Sequence, residues 1–212
     1  MRALGEVGRM MGDRSTSPAD LVFDGLTNRE LMVEHFPMLL SGIPDIGLTV
    51  HSHFLTVLAT AGQSQGYAAV AECPIWWARD NGLGDVRADS VWFEKHSGEA
   101  SLAFEFERFE RGDEGKLRGK VENLAIASTA SPSLKLCVLI YWVRSGSAPR
   151  SMDAIIATYR EGFRRRGSDV DPARTPLMII KCVMRPAPDS ERLVFGEFLR
   201  DERNERLALG RA

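Results

Sequence analysis

The run from Leu134 to Val143 is apolar and β-prone at every position but Lys135, a pattern that suits a strand covered on both faces. Pro176 to Met184 is a second run of the same kind. Between them lie a Ser/Gly/Pro loop and a helix pattern from Met152 to Arg166, with Ile155, Ile156, Tyr159 and Phe163 as its apolar stripe. With the elements that precede and follow them, the order reads α-α-β-β-β-α-β-α-β-α, which predicts a mixed sheet flanked by helices. The chain has 212 residues, 44% hydrophobic and 26% charged, enough for one domain with a real core. That domain is expected over residues 20–209, preceded by a loose tail over 1–19, with Met10 and Met11 as alternative starts.

Thr27-Asn28-Arg29-Glu30 reads as a capping box, with Thr27 as N-cap, opening a helix that runs to about Leu40. A second helix is expected from Thr49 to Gln63, with Val50, Phe54, Val57, Leu58 and Ala61 on its buried stripe. His51 and His53 on that helix are two apart and do not share a face, so they read as surface or packing histidines. Tyr67 to Trp76, Val86 to Phe93 and Ala100 to Phe109 read as three strands, followed by a helix from Asp113 to Ser128. On that helix Lys116, Lys120 and Asn123 share one face, while Leu117, Val121 and Leu124 form the buried stripe. A charged helix from Phe195 to Leu209 is expected to close the chain.

Net charge is -2, so any surface for a polyanion must be local. Cys73, Cys137 and Cys182 each lie in an apolar strand-like run, which points to reduced, buried thiols and a cytoplasmic location. No apolar run reaches the roughly 18 residues of a membrane span, and the N-terminus lacks the apolar stretch of a signal peptide. A glycine-rich phosphate loop, a Gly-x-Ser-x-Gly elbow and zinc-ligand spacing are all absent from the sequence.

The chemistry concentrates between Val86 and Leu124. In Phe104-Glu105-Phe106-Glu107 a strand sends both phenylalanines to one face and both glutamates to the other. Carboxylates gathered on a rigid strand require a divalent cation, basic neighbours or a proton. An antiparallel meander of the three strands would let Glu72, Asp89 and Glu105 converge on one ledge, a hard-oxygen set that suits Mg²⁺ or Mn²⁺. Glu107 could act as general base or second ligand, and Lys116 or Lys120 could polarise water or neutralise a transition state.

Asp89, a hairpin and then Glu105-x-Glu107 resemble the metal site of the PD-(D/E)xK, or restriction-endonuclease-like, nuclease superfamily. The resemblance covers roughly residues 50 to 145 and implies an α-β-β-β-α-β core within a mixed sheet, with N-terminal helices added. It implies that Asp89 and Glu105 bind metal and that Glu72 is the upstream acid that joins them. Where the family usually has Lys this chain has Glu107, and where it has Pro before the Asp this chain has Ala88. Some restriction enzymes of the family also carry Glu at the Lys position, and others have moved the Lys onto the following helix, which makes Lys116 and Lys120 the candidates. The implied activity is Mg²⁺- or Mn²⁺-dependent phosphodiester hydrolysis of nucleic acid, DNA in preference to RNA, with a homodimer as one arrangement. The alternative is an inactive member that binds nucleic acid or protein.

Arg160, Arg164, Arg165 and Arg166 could hold phosphates, or could complement the C-terminal dipole of their helix. Trp76 and Trp77 could stack on a base, or could pack in a core or an oligomer contact.

Overall fold

The structure is a computed structural model that describes residues 17–144, 148–188 and 190–201. Three short helices come first: α1 (Pro18–Thr27), α2 (Arg29–His35) and α3 (Pro37–Ser41). After the two-residue β1 (Ile43–Pro44) follow α4 (Gly47–Ser64), β2 (Ala68–Pro74) and α5 (Trp76–Asp80). Then come β3 (Arg87–Phe93), β4 (Ala100–Arg108), α6 (Glu114–Ala130), β5 (Leu136–Arg144) and α7 (Asp153–Glu161). A small hairpin, β6 (Phe163–Arg165) and β7 (Ser168–Val170), precedes β8 (Leu177–Pro186) and β9 (Arg192–Arg200).

Seven strands form one mixed sheet in the order β1-β9-β8-β5-β4-β3-β2. β2, β3 and β4 pair antiparallel, as the meander requires, while β4, β5 and β8 run parallel. The crossovers through α6 and α7 explain why the central strands are apolar on both faces. Along β5, Leu136, Val138, Ile140 and Trp142 face the α1–α4 layer, and Cys137, Leu139, Tyr141 and Val143 face α6 and α7. β4 alternates in the same way, with Phe104 and Phe106 toward α4 and Ala103 toward α6. All three cysteines are free, Cys137 and Cys182 buried and Cys73 half-buried.

α4 lies so close to the sheet that a Cβ on Gly62 would fall 2.7 Å from the fully buried Trp92 ring. Gly62→Ala is therefore expected to destabilise the protein despite its better helix propensity. The overpacking costs about 1–3 kcal/mol against roughly 1 kcal/mol gained. A lower denaturant midpoint with an unchanged slope would register it.

The N- and C-terminal expectations are corrected in several places. Residues 1–16 lie outside the described residues, but the helix begins at Pro18, inside the expected tail. Pro18 occupies the first turn, where no N–H is needed, and the Ser17 hydroxyl accepts from Asp20 N at 3.1 Å. Thr27 ends that helix, its hydroxyl donating to Phe23 O at 2.7 Å. The cap of α2 is Asn28, whose Oδ1 accepts from Leu31 N at 3.1 Å. Pro37 then splits the expected long helix, because it cannot donate into the preceding turn.

α7 stops at Glu161, well short of the expected Arg166, since Gly162 takes φ 82 and ψ 177 at a place where a Cβ would collide with Val170 O. Trp76 opens α5 instead of ending a strand. Residues 195–200 form part of β9, so the expected C-terminal helix is wrong there, and its remainder from 202 lies outside the described residues. Phe195 and Phe198 are three apart, which imitates a helical stripe. The register shift in the β8–β9 pairing skips Gly196 and turns both rings toward Phe54.

Candidate functional site

β3 and β4 stop pairing at Ser90 and Phe104, and the next residue back along β3 is Asp89. Its carboxylate takes the place of a strand partner, with Oδ2 accepting from Phe106 N at 2.7 Å. Asp89 is thus wedged where the two strands part and can be reached from both faces of the sheet. From the α6 face, Lys120 Nζ lies 3.0 Å from Asp89 Oδ1 and 2.8 Å from Asp89 Oδ2. The same ammonium lies 2.7 Å from Glu105 Oε2. From the α4 face, His51 Nε2 lies 3.5 Å from Asp89 Oδ1.

Glu105 is fully buried, and its Oε1 accepts from Asn123 Nδ2 at 3.1 Å. Asn123 Oδ1 in turn accepts from Arg165 Nη1 at 3.0 Å, which ties β6 to the cluster. Lys120 and Asn123 are one helical turn apart on α6, and the crossover from β4 to β5 lays that turn over Glu105.

Glu72 completes the group. It faces Asp89 across the β2–β3 pair, between the matched positions Ala71↔Ser90 and Cys73↔Ala88. Its φ of 51 is left-handed in mid-strand, a conformation costly for any residue with a Cβ. Donor atoms of His51, Glu72 and Asp89 all lie within 4.8 Å of one another.

Charge balance explains the electrostatics. Burial, the largest influence on Asp89, pushes its carboxyl up, but His51, Lys120 and the Phe106 N–H together hold it down at about 2. Glu105 goes the other way: burial first, then the Asp89 charge, raise it well above the usual range despite Lys120. Burial works against the Lys120 ammonium, yet Glu105 and Asp89 outweigh it and keep the lysine charged. One ammonium thus serves two buried carboxylates, of which Asp89 is held ionised and Glu105 keeps its proton more tightly than an ordinary glutamate.

Not every residue singled out in the sequence joins this cluster. Lys116 is exposed and pairs with Asp113 at 2.9 Å instead. Glu107 lies on β4 two residues beyond Glu105, half-buried, with Oε1 accepting from Arg108 N at 3.0 Å. Neither is joined to Asp89, Glu105 or Lys120 by a hydrogen bond or an ion pair. Arg108 is drawn elsewhere too, to Asp45 at 3.4 Å and over the Trp142 ring at 4.9 Å. Trp76 is exposed, and Trp77 packs beside Ala78 and Leu83.

Helical spacing does not single out His51, since α4 carries no second histidine one turn away on the same face. Its partners come from two strands, which no helical spacing reveals. The contribution of Arg165 was equally hidden, because its stretch reads as helix.

No protein-family model matches the chain, and neither a curated protein nor a solved structure matches it. Fold and site together define a mixed α/β protein with a buried carboxylate–lysine cluster, in which Asp89 also lies beside His51 and Glu72, their donor atoms within 4.8 Å of one another. Among the described residues, no helix is long and apolar enough to cross a membrane.

Proposed function

We propose that the chain is a divalent-metal-dependent phosphodiester hydrolase on a restriction-endonuclease-like core, acting on nucleic acid and on DNA in preference to RNA. The observation that carries this reading is the meeting of Asp89, Glu105 and Lys120, each from a different element, at the point where β3 and β4 separate. The connectivity supports it. α4, the β2–β3–β4 meander, α6 and the parallel β5 follow the α-β-β-β-α-β order of that superfamily. Lysine reaches the acids from the helix after the strand that carries Glu105-x-Glu107, as in members whose lysine has migrated.

The donor set fits Mg²⁺ or Mn²⁺. Glu72 and Asp89 supply hard oxygens beside His51, and Glu105 adjoins Asp89 at Lys120 Nζ, which already marks a place where positive charge is favoured. Bound there, the ion would orient and activate a water and offset negative charge at phosphorus. Asp89 stays ionised throughout the neutral range and is anchored by the Phe106 amide, so its oxygens are held in place. Asn123 fixes the rotamer of Glu105 through Oε1 and leaves Oε2 toward Lys120. Lys120 brings a permanent charge to the position where phosphoryl oxygens would accumulate negative charge.

The test is cleavage of supercoiled DNA, linear duplex, single strands and RNA with Mg²⁺ or Mn²⁺. Wild type should cleave DNA, and Asp89→Asn should lose at least about a hundredfold, since even outer-shell partners of metal ligands typically cost 10–100-fold. The pairing of Lys120 with both acids, which balances their charge within the protein, favours a second reading, a non-catalytic binding module in which the cluster is structural. Nucleic-acid binding without cleavage or Mn²⁺ uptake would select it.

A further inference from the structure

The expected helix over 152–166 ends at Glu161, so Arg164, Arg165 and Arg166 cannot serve as cations for its C-terminal dipole. They form one arm and the turn of the β6–β7 hairpin. Phe163 and Val170 pair at its base and pack against Leu83, Val86 and Ile126, so the hairpin is anchored.

Each arginine is placed differently. Arg165 reaches inward to Asn123 and through it to Glu105, which puts the hairpin at the rim of the carboxylate cluster. Arg164 points outward, 73% exposed. Its Nε and Nη2 donate to Gly167 O at 3.2 Å, and Asp169 lies 3.8 Å away and 87% exposed. Arg166 occupies the tight turn with φ 51, followed by Gly167 with φ 90. Both residues of such a two-residue turn need positive φ, which normally selects Asn, Asp or Gly. Arginine there gives up backbone stability for a guanidinium at the tip. That guanidinium lies over Gly84, where a Cβ would come within 2.5 Å of Nη1.

We propose that the β6–β7 hairpin is a phosphate-binding arm, in which Arg164 and Arg166 grip the backbone of a polynucleotide whose neighbouring phosphate lies at the Asp89–Glu105–Lys120 cluster. The partner class follows from the chemistry. Guanidinium forks match phosphate oxygens in pairs, and a chain with net charge -2 must gather such groups locally. This rests on the nucleic-acid reading of the cluster but not on catalysis.

The experiment measures binding of a fluorescent 20-base-pair DNA duplex, and of its separated strand, in EDTA over a range of salt. The variants are Arg164→Ala, Arg166→Gly, the pair, and Arg29→Ala on α2 as a control for loss of one exposed charge. Each hairpin substitution is expected to flatten the plot of log affinity against log salt by about 0.9 for duplex, or about 0.7 for the strand, and Arg29→Ala not at all. Arg166→Gly should be at least as stable as wild type, because glycine relieves the left-handed strain, so weaker binding would not reflect misfolding.

Unchanged slopes in the hairpin variants, or an equal effect from Arg29→Ala, would overturn the arm whether or not the protein cleaves DNA. Hairpin-dependent binding without metal-dependent cleavage would uphold the arm and remove the hydrolase reading. Failure of the wild type to bind either DNA would overturn the arm outright.

Discussion

Lys120→Met is expected to destabilise the metal-free protein by about 3–5 kcal/mol, the usual cost of removing one partner from a buried ion pair. Methionine fills similar volume, so little of the loss comes from packing. What remains is Asp89, 5% exposed, beside Glu105, fully buried, with no cation between them. The Glu105 carboxyl, already raised by burial and by Asp89, rises further without Lys120, and taking up a proton relieves the pair, so the loss should grow as pH rises and that proton is given up. Mn²⁺ should raise the melting midpoint of the variant more than that of the wild type, because the ion replaces the missing charge. Thermal melts in EDTA and in Mn²⁺ decide both points. A variant as stable as wild type would show that the cluster does not hold the strands together. A destabilised variant indifferent to Mn²⁺ would argue against a metal at this position.

Glu105→Gln should do something less usual: stabilise the metal-free protein at neutral and alkaline pH while removing metal binding and at least a hundredfold of any cleavage. The sign follows from the direction of the shift. Folding raises the Glu105 carboxyl well above its ordinary value of 4.5, so the native state binds the proton more tightly than the unfolded chain. Stability from this group is present below the ordinary value and lost as pH rises through the folded value. Glutamine keeps the shape and the Asn123 contact without ever ionising.

Asp89 carries the opposite sign. Held at about 2 instead of 3.8, it contributes about 2 kcal/mol above its unfolded value, lost as pH falls through the folded one. Metal-free wild type should therefore gain stability from these two groups between pH 2 and 4 and lose some on the alkaline side. In Glu105→Gln only the acid limb should remain. Denaturant titrations at several pH values would show it, and an unaltered alkaline limb in the variant would mean that Glu105 is not the strained group.

Much of the sheet was legible in the chain because its evidence is local. Continuous apolar runs marked β5 and β8 as central strands, and alternation at Phe104-Glu105-Phe106-Glu107 assigned both faces of β4. Helical spacing put Lys120 and Asn123 on one face of α6, and both do reach the acids. Errors arose where two periods coincide or where a contact overrides propensity. The skipped Gly196 let a strand place Phe195 and Phe198 as a helix would. Close packing of Gly162 on Val170 O ended a helix whose apolar stripe continued to Phe163.

Residue types and their order along the chain determined that carboxylates would share a strand face and that a lysine-bearing helix would follow. Only the tertiary structure decided which of those groups meet. It selected Lys120 over Lys116, recruited His51 from the opposite face, and joined Arg165 to Glu105 through Asn123. The physical reason is range. Periodicity reports which way a side chain points within its own element, whereas a site assembled from α4, β2, β3, β4, α6 and β6 depends on how those elements are registered in space.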